Sequence, residues 1–346
     1  EATLLLFSRH SNLQTLRRYL NWGKVNVVEA NMQAEAATNL WGAGDNNMET
    51  GSCQLLGSIS SFGLLDTIRS GAPPKWRQMG LSPNGWRSWP LHAKAVQAIT
   101  LDEVDKMSEM CSQRVKKNWA HSSRWIRDAT AYAEMDKHDV ALEDAVMSHH
   151  DFVKWLQSGQ IAKLLPGQIP RGAVKIFCVP EPRKQRKRCI KHTITFNTCY
   201  DRTTSRKVTF PSREEQIAAV YAGTHVSCLD FSAYYDQIVL AEAITLYHCF
   251  TFEGDVYRLL TLPMGQRHSV EVATAITEVL VDFEEARQVS TQTYIDNVRF
   301  VGTHGLVRAA VKIFLERVAK VNATLNEDVS SVDGLIAQEG EFLGIW

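Results

Sequence analysis

Two aspartates stand where a soluble fold has little reason to put them. Asp230 closes the apolar run Val226-Ser-Cys-Leu229, and Asp296 sits in a polar step between Thr293-Tyr-Ile295 and Val298-Arg-Phe-Val301. An ionised carboxylate at the end of a buried strand is expensive unless an ion pair or a metal compensates it. Taken singly, each has an ordinary explanation. Asp230 can cap the turn that follows it, and Asp296-Asn297 can be the tip of a hairpin. Taken together, two carboxylates 66 residues apart, each at the tip of a buried strand, could share a pair of divalent ions. Two such ions clamp the attacking and leaving oxygens of an in-line phosphoryl displacement. Mg²⁺ suits that task because it takes few carboxylates and keeps places for phosphate and water.

A second group of residues suits phosphate. Residues 171–192 contain eight Lys/Arg, among them Lys184 and Arg188, against the single acid Glu181. Residues 321–346 contain five acids and no Lys or Arg. Charge is therefore segregated beneath a net charge of zero, and the basic stretch fits phosphate contacts. A solvated face or a nuclear localisation signal would read the same way. Between the two aspartates lies Leu262-Pro-Met-Gly265, followed by Gln266-Arg-His268. Pro263 and Gly265 bend the chain, and a glycine lets a ligand approach the backbone closely.

Residues 100–158 read as helical. Thr100 and Glu103 have the spacing of a capping box. Val104, Met107, Met110 and Cys111 follow as a stripe, then Trp125, Ala129 and Tyr132, then Phe152, Val153 and Leu156, up to Gly159. After Pro166-Gly167 the texture changes. Runs at Val174 to Val179, Val226 to Phe231 and Tyr294 to Val301 read as strands. Stretches at Arg213 to Tyr221, Val270 to Glu285 and Leu306 to Val321 read as helices. Such alternation indicates an α+β or α/β domain.

At 346 residues, 45% hydrophobic and 22% charged, the chain is neither disordered nor fibrous. Two domains are the better prior for its length. No apolar run approaches the ~20 residues of a membrane span, so no membrane role is expected. The seven cysteines include no C-x-x-C pair, which points to reduced thiols and an intracellular setting, nucleus or cytoplasm. The first residue is Glu1 rather than Met, as in a trimmed piece. The tryptophans of residues 1–95 suit core packing better than base stacking.

In order and spacing, residues 148 to 346 resemble the reverse transcriptases, closest to those of long-terminal-repeat and tyrosine-recombinase retrotransposons. Leu156-Gln-Ser-Gly-Gln-Ile161 matches the family's phrase ahead of the fingers. A strand, the basic hairpin Arg183 to Arg188, and a segment from Cys189 to Asn197 follow. Asp230, Tyr235 and Gln237-Ile238 match motif A, Leu262-Pro-Met-Gly265 matches motif B, and Tyr294-Ile-Asp-Asn297 stands at motif C. Phe342-Leu-Gly344 matches the primer-gripping phrase.

The resemblance implies an α+β right-hand palm, a small antiparallel sheet backed by helices, with fingers. A helical, Trp-rich extension spans residues 1–147, and the chain stops short of a thumb or ribonuclease H. It also implies an RNA-directed DNA polymerase that takes an RNA template, a DNA or RNA primer and deoxynucleoside triphosphates. Two Mg²⁺ or Mn²⁺ ions would be held by Asp230, Asp296 and the backbone carbonyl of Phe231, with Asn297 beside them. Tyr235 would select deoxy sugars, Arg188 and Lys184 would hold the triphosphate, and Met264, Gly265 and Gln266 would line the nucleotide pocket. Asn297 departs from the family's second aspartate, and Glu327-Asp328 stands where a lysine is usual. A domesticated, inactive fold that serves as a structural or RNA-binding subunit is the rival expectation.

Overall fold

Three small antiparallel sheets and the helices beneath them carry the computed structural model. It describes residues 85–200, 203–221 and 223–340. The expectations for residues 1–84, including Trp22, Trp41 and Trp76, and for Phe342-Leu-Gly344 lie outside the described residues.

The expected capping box at Thr100 does not form. Thr100 is the N-cap of α1 (Leu101–Ser108), but its side chain makes no capping bond. Glu103 pairs instead with Lys106 and Lys320. A capping box does form at Ser212, before the helix Arg213–Val220, where Ser212 Oγ accepts from Glu215 N at 3.2 Å and Glu215 Oε2 accepts from Ser212 N at 2.6 Å. The helical stripes also stop sooner than their spacing suggests. α1 ends at Ser108, which leaves Met110 exposed. α2 (Gln113–Arg127) breaks at Asp128 into a 3₁₀ turn, Ala129–Tyr132. Trp125 and Tyr132 still meet edge to face at 6.0 Å, but across that break. In α3 (His149–Gln157) the buried partner of Phe152 is Trp155, not Leu156.

After α3, Gly159 turns the chain at φ +76° into β1 (Ile161–Lys163). β2 (Lys175–Glu181) and β3 (Arg186–His192) form the expected hairpin, paired from Lys175↔His192 to Glu181↔Arg186. Its tip is the turn Pro182–Lys184, closed by Gln185 in the left-handed region. α4 (Arg213–Val220) leads to β4 (His225–Asp230). β5 (Cys249–Phe252) and β6 (Asp255–Leu259) join β1 in the order β1-β6-β5.

α5 (Ser269–Val281), β7 (Ser290–Tyr294), β8 (Asn297–Gly302) and α6 (His304–Lys320) complete the order. The third sheet runs β4-β8-β7. Ser227 and Leu229 of β4 face inward while Cys228 and Asp230 are only half-buried, the period-2 alternation of a strand with one covered face. Leu229, Val298 and Phe300 pack there on Val272, Ile276, Val311 and Phe314 of α5 and α6. On the other face α4 lies close enough for the buried Arg299 to donate to the Gln216 carbonyl at 2.8 Å.

Packing is continuous across residue 147, where the sequence suggests a domain boundary. Trp119, Trp125 and Tyr132 share one core cluster with Phe196, Leu262 and Val272. Residues 86–340 form one compact unit. Among the described residues no helix is long and apolar enough to cross a membrane. The six described cysteines are free thiols.

Candidate active site

Strand register brings the two aspartates together. β4 and β8 pair antiparallel with Asp230 opposite Asn297, and β7 and β8 pair with Tyr294 opposite the same residue. The β7–β8 turn is thus only Ile295-Asp296, and it lies at the end of β4 that carries Asp230. The turn is one residue earlier than the sequence suggests, so Asn297 is the first residue of β8. Phe231 N donates to the Asp296 carbonyl at 3.0 Å, closing the gap between the two tips. Ile295 sits at φ +56°, a left-handed conformation that costs a β-branched residue about 1–2 kcal/mol. Such strain persists only where the surroundings over-determine it, and it clusters at functional sites.

The electrostatics of this pair are those of a site short of positive charge. Burial, and then the neighbouring Asp296, push the Asp230 carboxyl up to about 6. Burial also raises Asp296 above the ordinary carboxylate range, against opposing hydrogen bonds, one of them from Asn297, and the field of Arg188. Among the described residues neither carboxylate forms an ion pair. Asn297 Nδ2 donates to Asp296 Oδ1 at 3.0 Å. The amide thus spends a donor on its neighbour where a second carboxylate would repel it.

These residues fit a divalent cation by their chemistry. Two hard oxygen donors, raised for want of counter-charge, gain from a metal what they lack from the protein. Among the described residues no three His, Cys, Asp or Glu side chains gather as a metal cluster. Two carboxylates would leave most coordination places to water or phosphate, as Mg²⁺ prefers.

Tyr235 is buried five residues beyond Asp230, and Ala233 between them sits at φ +46°. Its hydroxyl is held well above the usual phenol range by burial and then by Asp296. Lys184 is exposed at the hairpin tip, and its charge reaches Asp230. Arg188 does the same for Asp296. Charges of the basic hairpin therefore act on the acidic sheet end.

Most of that basic run is already paired, which the sequence did not suggest. Lys187 lies on Asp151, both buried. Lys191, also buried, meets Asp236 at 2.5 Å. Arg171 meets Asp136 and Lys175 meets Glu143. Arg186 and Arg188 share Glu181, with Arg188 Nη2 at 2.5 Å from Oε1. Four of these five acids lie outside the stretch, so a local charge count could reveal only the pairing on Glu181.

The Pro263-Met-Gly turn divides in two. Met264 is exposed. A Cβ on Gly265 would lie 2.5 Å from the Lys191 carbonyl, so this glycine admits the foot of the hairpin rather than an open space. Asn197 pins the turn by donating to the Gly265 carbonyl at 2.9 Å and accepting from Arg267 N at 2.8 Å. Gln266 turns into the core: it is buried and donates to Tyr132 Oη at 3.0 Å. His268 lies against Trp125, ring centroids 3.6 Å apart and tilted by 32°, and burial keeps it neutral, pushed down to about 3. These two side chains fasten the start of α5 to the helices that precede residue 147.

Sequence reasoning passed over the segment Thr324–Glu327 as part of the site. Asn326 Nδ2 donates to Asp230 Oδ2 at 2.8 Å, and Asp230 N donates to Glu327 Oε2 at 3.0 Å. The sequence marks this stretch only as a departure, Glu327-Asp328 in place of a lysine, and not as a partner of Asp230, which lies about a hundred residues earlier.

No protein-family model matches the chain, and no curated protein matches it. Among solved structures it is similar to the foamy viral protease-reverse transcriptase dRH in complex with double-stranded DNA. The identity is 14% and the TM-score 0.44, over 73% of this chain and 47% of that one. It is similar to the native prototype foamy virus protease-reverse transcriptase at 13% identity and TM-score 0.41, over 66% and 33% of the two chains. For the CSH mutant of that enzyme the values are 12% and 0.41, over 66% and 33%. The chain thus spans less than half the length of these structures. They are weak likenesses to viral enzymes and do not carry the narrower expectation of a retrotransposon kind.

Proposed function

We propose that this chain is the fingers and palm of a retroelement RNA-directed DNA polymerase. The observation that carries the reading is the meeting of Asp230 and Asp296 at one sheet end, without counter-ions among the described residues and beneath the charges of Lys184 and Arg188. The three small sheets would then be palm and fingers, with β4-β8-β7 as the palm floor.

Asp230, Asp296 and the Phe231 carbonyl would hold two Mg²⁺ ions. When bound, these supply positive charge to the attacking 3′-hydroxyl and to the leaving phosphate oxygens. Lys184 and Arg188 bind and orient the triphosphate by charge-assisted hydrogen bonds, Arg188 exchanging Glu181 for a phosphate oxygen. The ring of Tyr235 lies against the sugar and excludes a 2′-hydroxyl by contact. Met264 covers the base from the exposed turn. The template, the primer and deoxynucleoside triphosphates are the partners this reading requires.

The test is primer extension on an RNA template with Mg²⁺ and, separately, with Mn²⁺, using Asp296→Ala as control. Product from the wild type that is lost in the variant is the expected result. Absence of product from both the wild type and Asn297→Asp, with RNA still bound, would overturn it. One observation favours the alternative of a domesticated RNA-binding subunit: the Asn297 amide occupies Asp296 Oδ1, where the resemblance implies a second carboxylate.

A further inference from the structure

β8 pairs with only one edge of β4. The other edge would expose its N–H and C=O groups. The chain beyond α6 covers it. Ala337 exchanges both backbone bonds with Val226, at 2.8 and 2.9 Å, and Phe231 forms a bridge with Leu325. Ser232 N donates to the Thr324 carbonyl at 3.0 Å, and Asn326 N donates to the Asp230 carbonyl at 2.8 Å. Gln237 then grips Thr324 twice, accepting from its N–H at 2.8 Å and donating to its carbonyl at 2.9 Å. The loop from Asp230 to Gln237 is therefore tied to residues 324–326 at several points.

Two side chains of this edge act on Asp230 itself. Glu327 supplies a carboxylate oxygen to the Asp230 N–H, in the place where a backbone carbonyl would continue the ladder. Asn326 donates to Asp230 Oδ2, and among the described residues Oδ1 accepts no hydrogen bond. Asn326 is exposed, so it fills no core space. Its backbone is anchored at Asp230 while its side chain returns to the same residue. That double attachment ties the Asp230 carboxylate to its own backbone through one residue.

We propose that Asn326 is a positioning residue, which holds Asp230 with one carboxylate oxygen engaged and the other presented to a divalent cation shared with Asp296. This rests on the polymerase reading above. Where a carboxylate binds a metal, the donor behind it fixes which lone pair faces the ion, and removing such a donor typically costs tenfold or more in metal affinity. An exposed asparagine that merely decorates the surface would change little on removal.

The test is Mn²⁺ binding by the intact chain, read from the electron paramagnetic resonance of the free ion, with no nucleotide or primer present. Asn326→Ala should weaken Mn²⁺ about tenfold while the melting midpoint stays within about 2 °C of wild type. Asp230→Ala is run alongside. If Asp230→Ala loses the ion and Asn326→Ala binds it as wild type does, the positioning role is overturned and the polymerase reading stands. If Asp230→Ala binds as wild type does, the site itself is misassigned and both fall. An affinity loss in Asn326→Ala that comes with a clearly lower midpoint would make Asn326 a scaffold residue and overturn the positioning role.

Discussion

Replacing Asp230 by asparagine should stabilise the protein, and by an amount set by pH. Burial and the proximity of Asp296 raise the Asp230 carboxyl from the ordinary 3.8 to about 6. The folded state therefore binds this proton more tightly than the unfolded state does. Below about pH 4 the group is protonated in both states, and its contribution to stability is fully present. As pH rises through about 6 that contribution is lost, because the native protein must then hold an ionised carboxylate that it disfavours. At ~1.4 kcal/mol for each tenfold change, the rise is worth at most ~3 kcal/mol. Asp230 is half-exposed, and solvent screening reduces the figure to roughly 1–2 kcal/mol. Asp230→Asn keeps the acceptor for Asn326 and discards the charge. In chelator at pH 8 it should melt roughly 2–6 °C above wild type. The two proteins should converge near pH 4. With millimolar Mg²⁺ the gap at pH 8 should narrow, because the ion stabilises only the protein that binds it. Thermal melts by circular dichroism at pH 4, 6 and 8, with and without Mg²⁺, measure all three. A variant less stable than wild type at pH 8, or an offset independent of pH, would refute the electrostatic account of this site.

Two further substitutions probe the same physics elsewhere. Asn297→Asp replaces the donor to Asp296 with a second acceptor at about the same place. It should lower stability by roughly 1–2 kcal/mol in chelator, recover it in Mg²⁺, and bind Mn²⁺ more tightly by calorimetry; equal stability in both buffers would count against it. Lys187 and Asp151 form a buried ion pair. Lys187→Met alone should cost about 3–5 kcal/mol by urea denaturation because it strands the aspartate, whereas adding Asp151→Leu should restore most of the loss; additive costs would exclude that coupling.

Strand and helix identities were legible because their signals are local. The apolar run Val226-Ser-Cys-Leu229, the apolar texture of Val270 to Leu280 and the turn at Gly159 each need only a few neighbours to act. Misreadings fell where a local signal had a distant competitor. Thr100 and Glu103 have capping-box spacing, yet Glu103 turns to Lys106 and Lys320. The tip of the β7–β8 hairpin is set by pairing with β4, which puts Ile295 at φ +56° where no propensity would place an isoleucine.

The sequence alone determined which residues could do the chemistry. Two carboxylates ending apolar runs, a basic stretch between two β-like runs and an aromatic five residues beyond the first aspartate are facts of order and type. Tertiary structure alone decided which of them remain available. It spent six of the eight basic side chains on acids, four of them on acids from outside the stretch and two on Glu181 within it. It buried Gln266 against Tyr132, and it brought Asn326 back to Asp230. The physical reason is one of range. Propensity and periodicity act over a few residues, whereas the cost of an unpaired buried charge or an open strand edge is met by whichever partner the packed chain brings within reach.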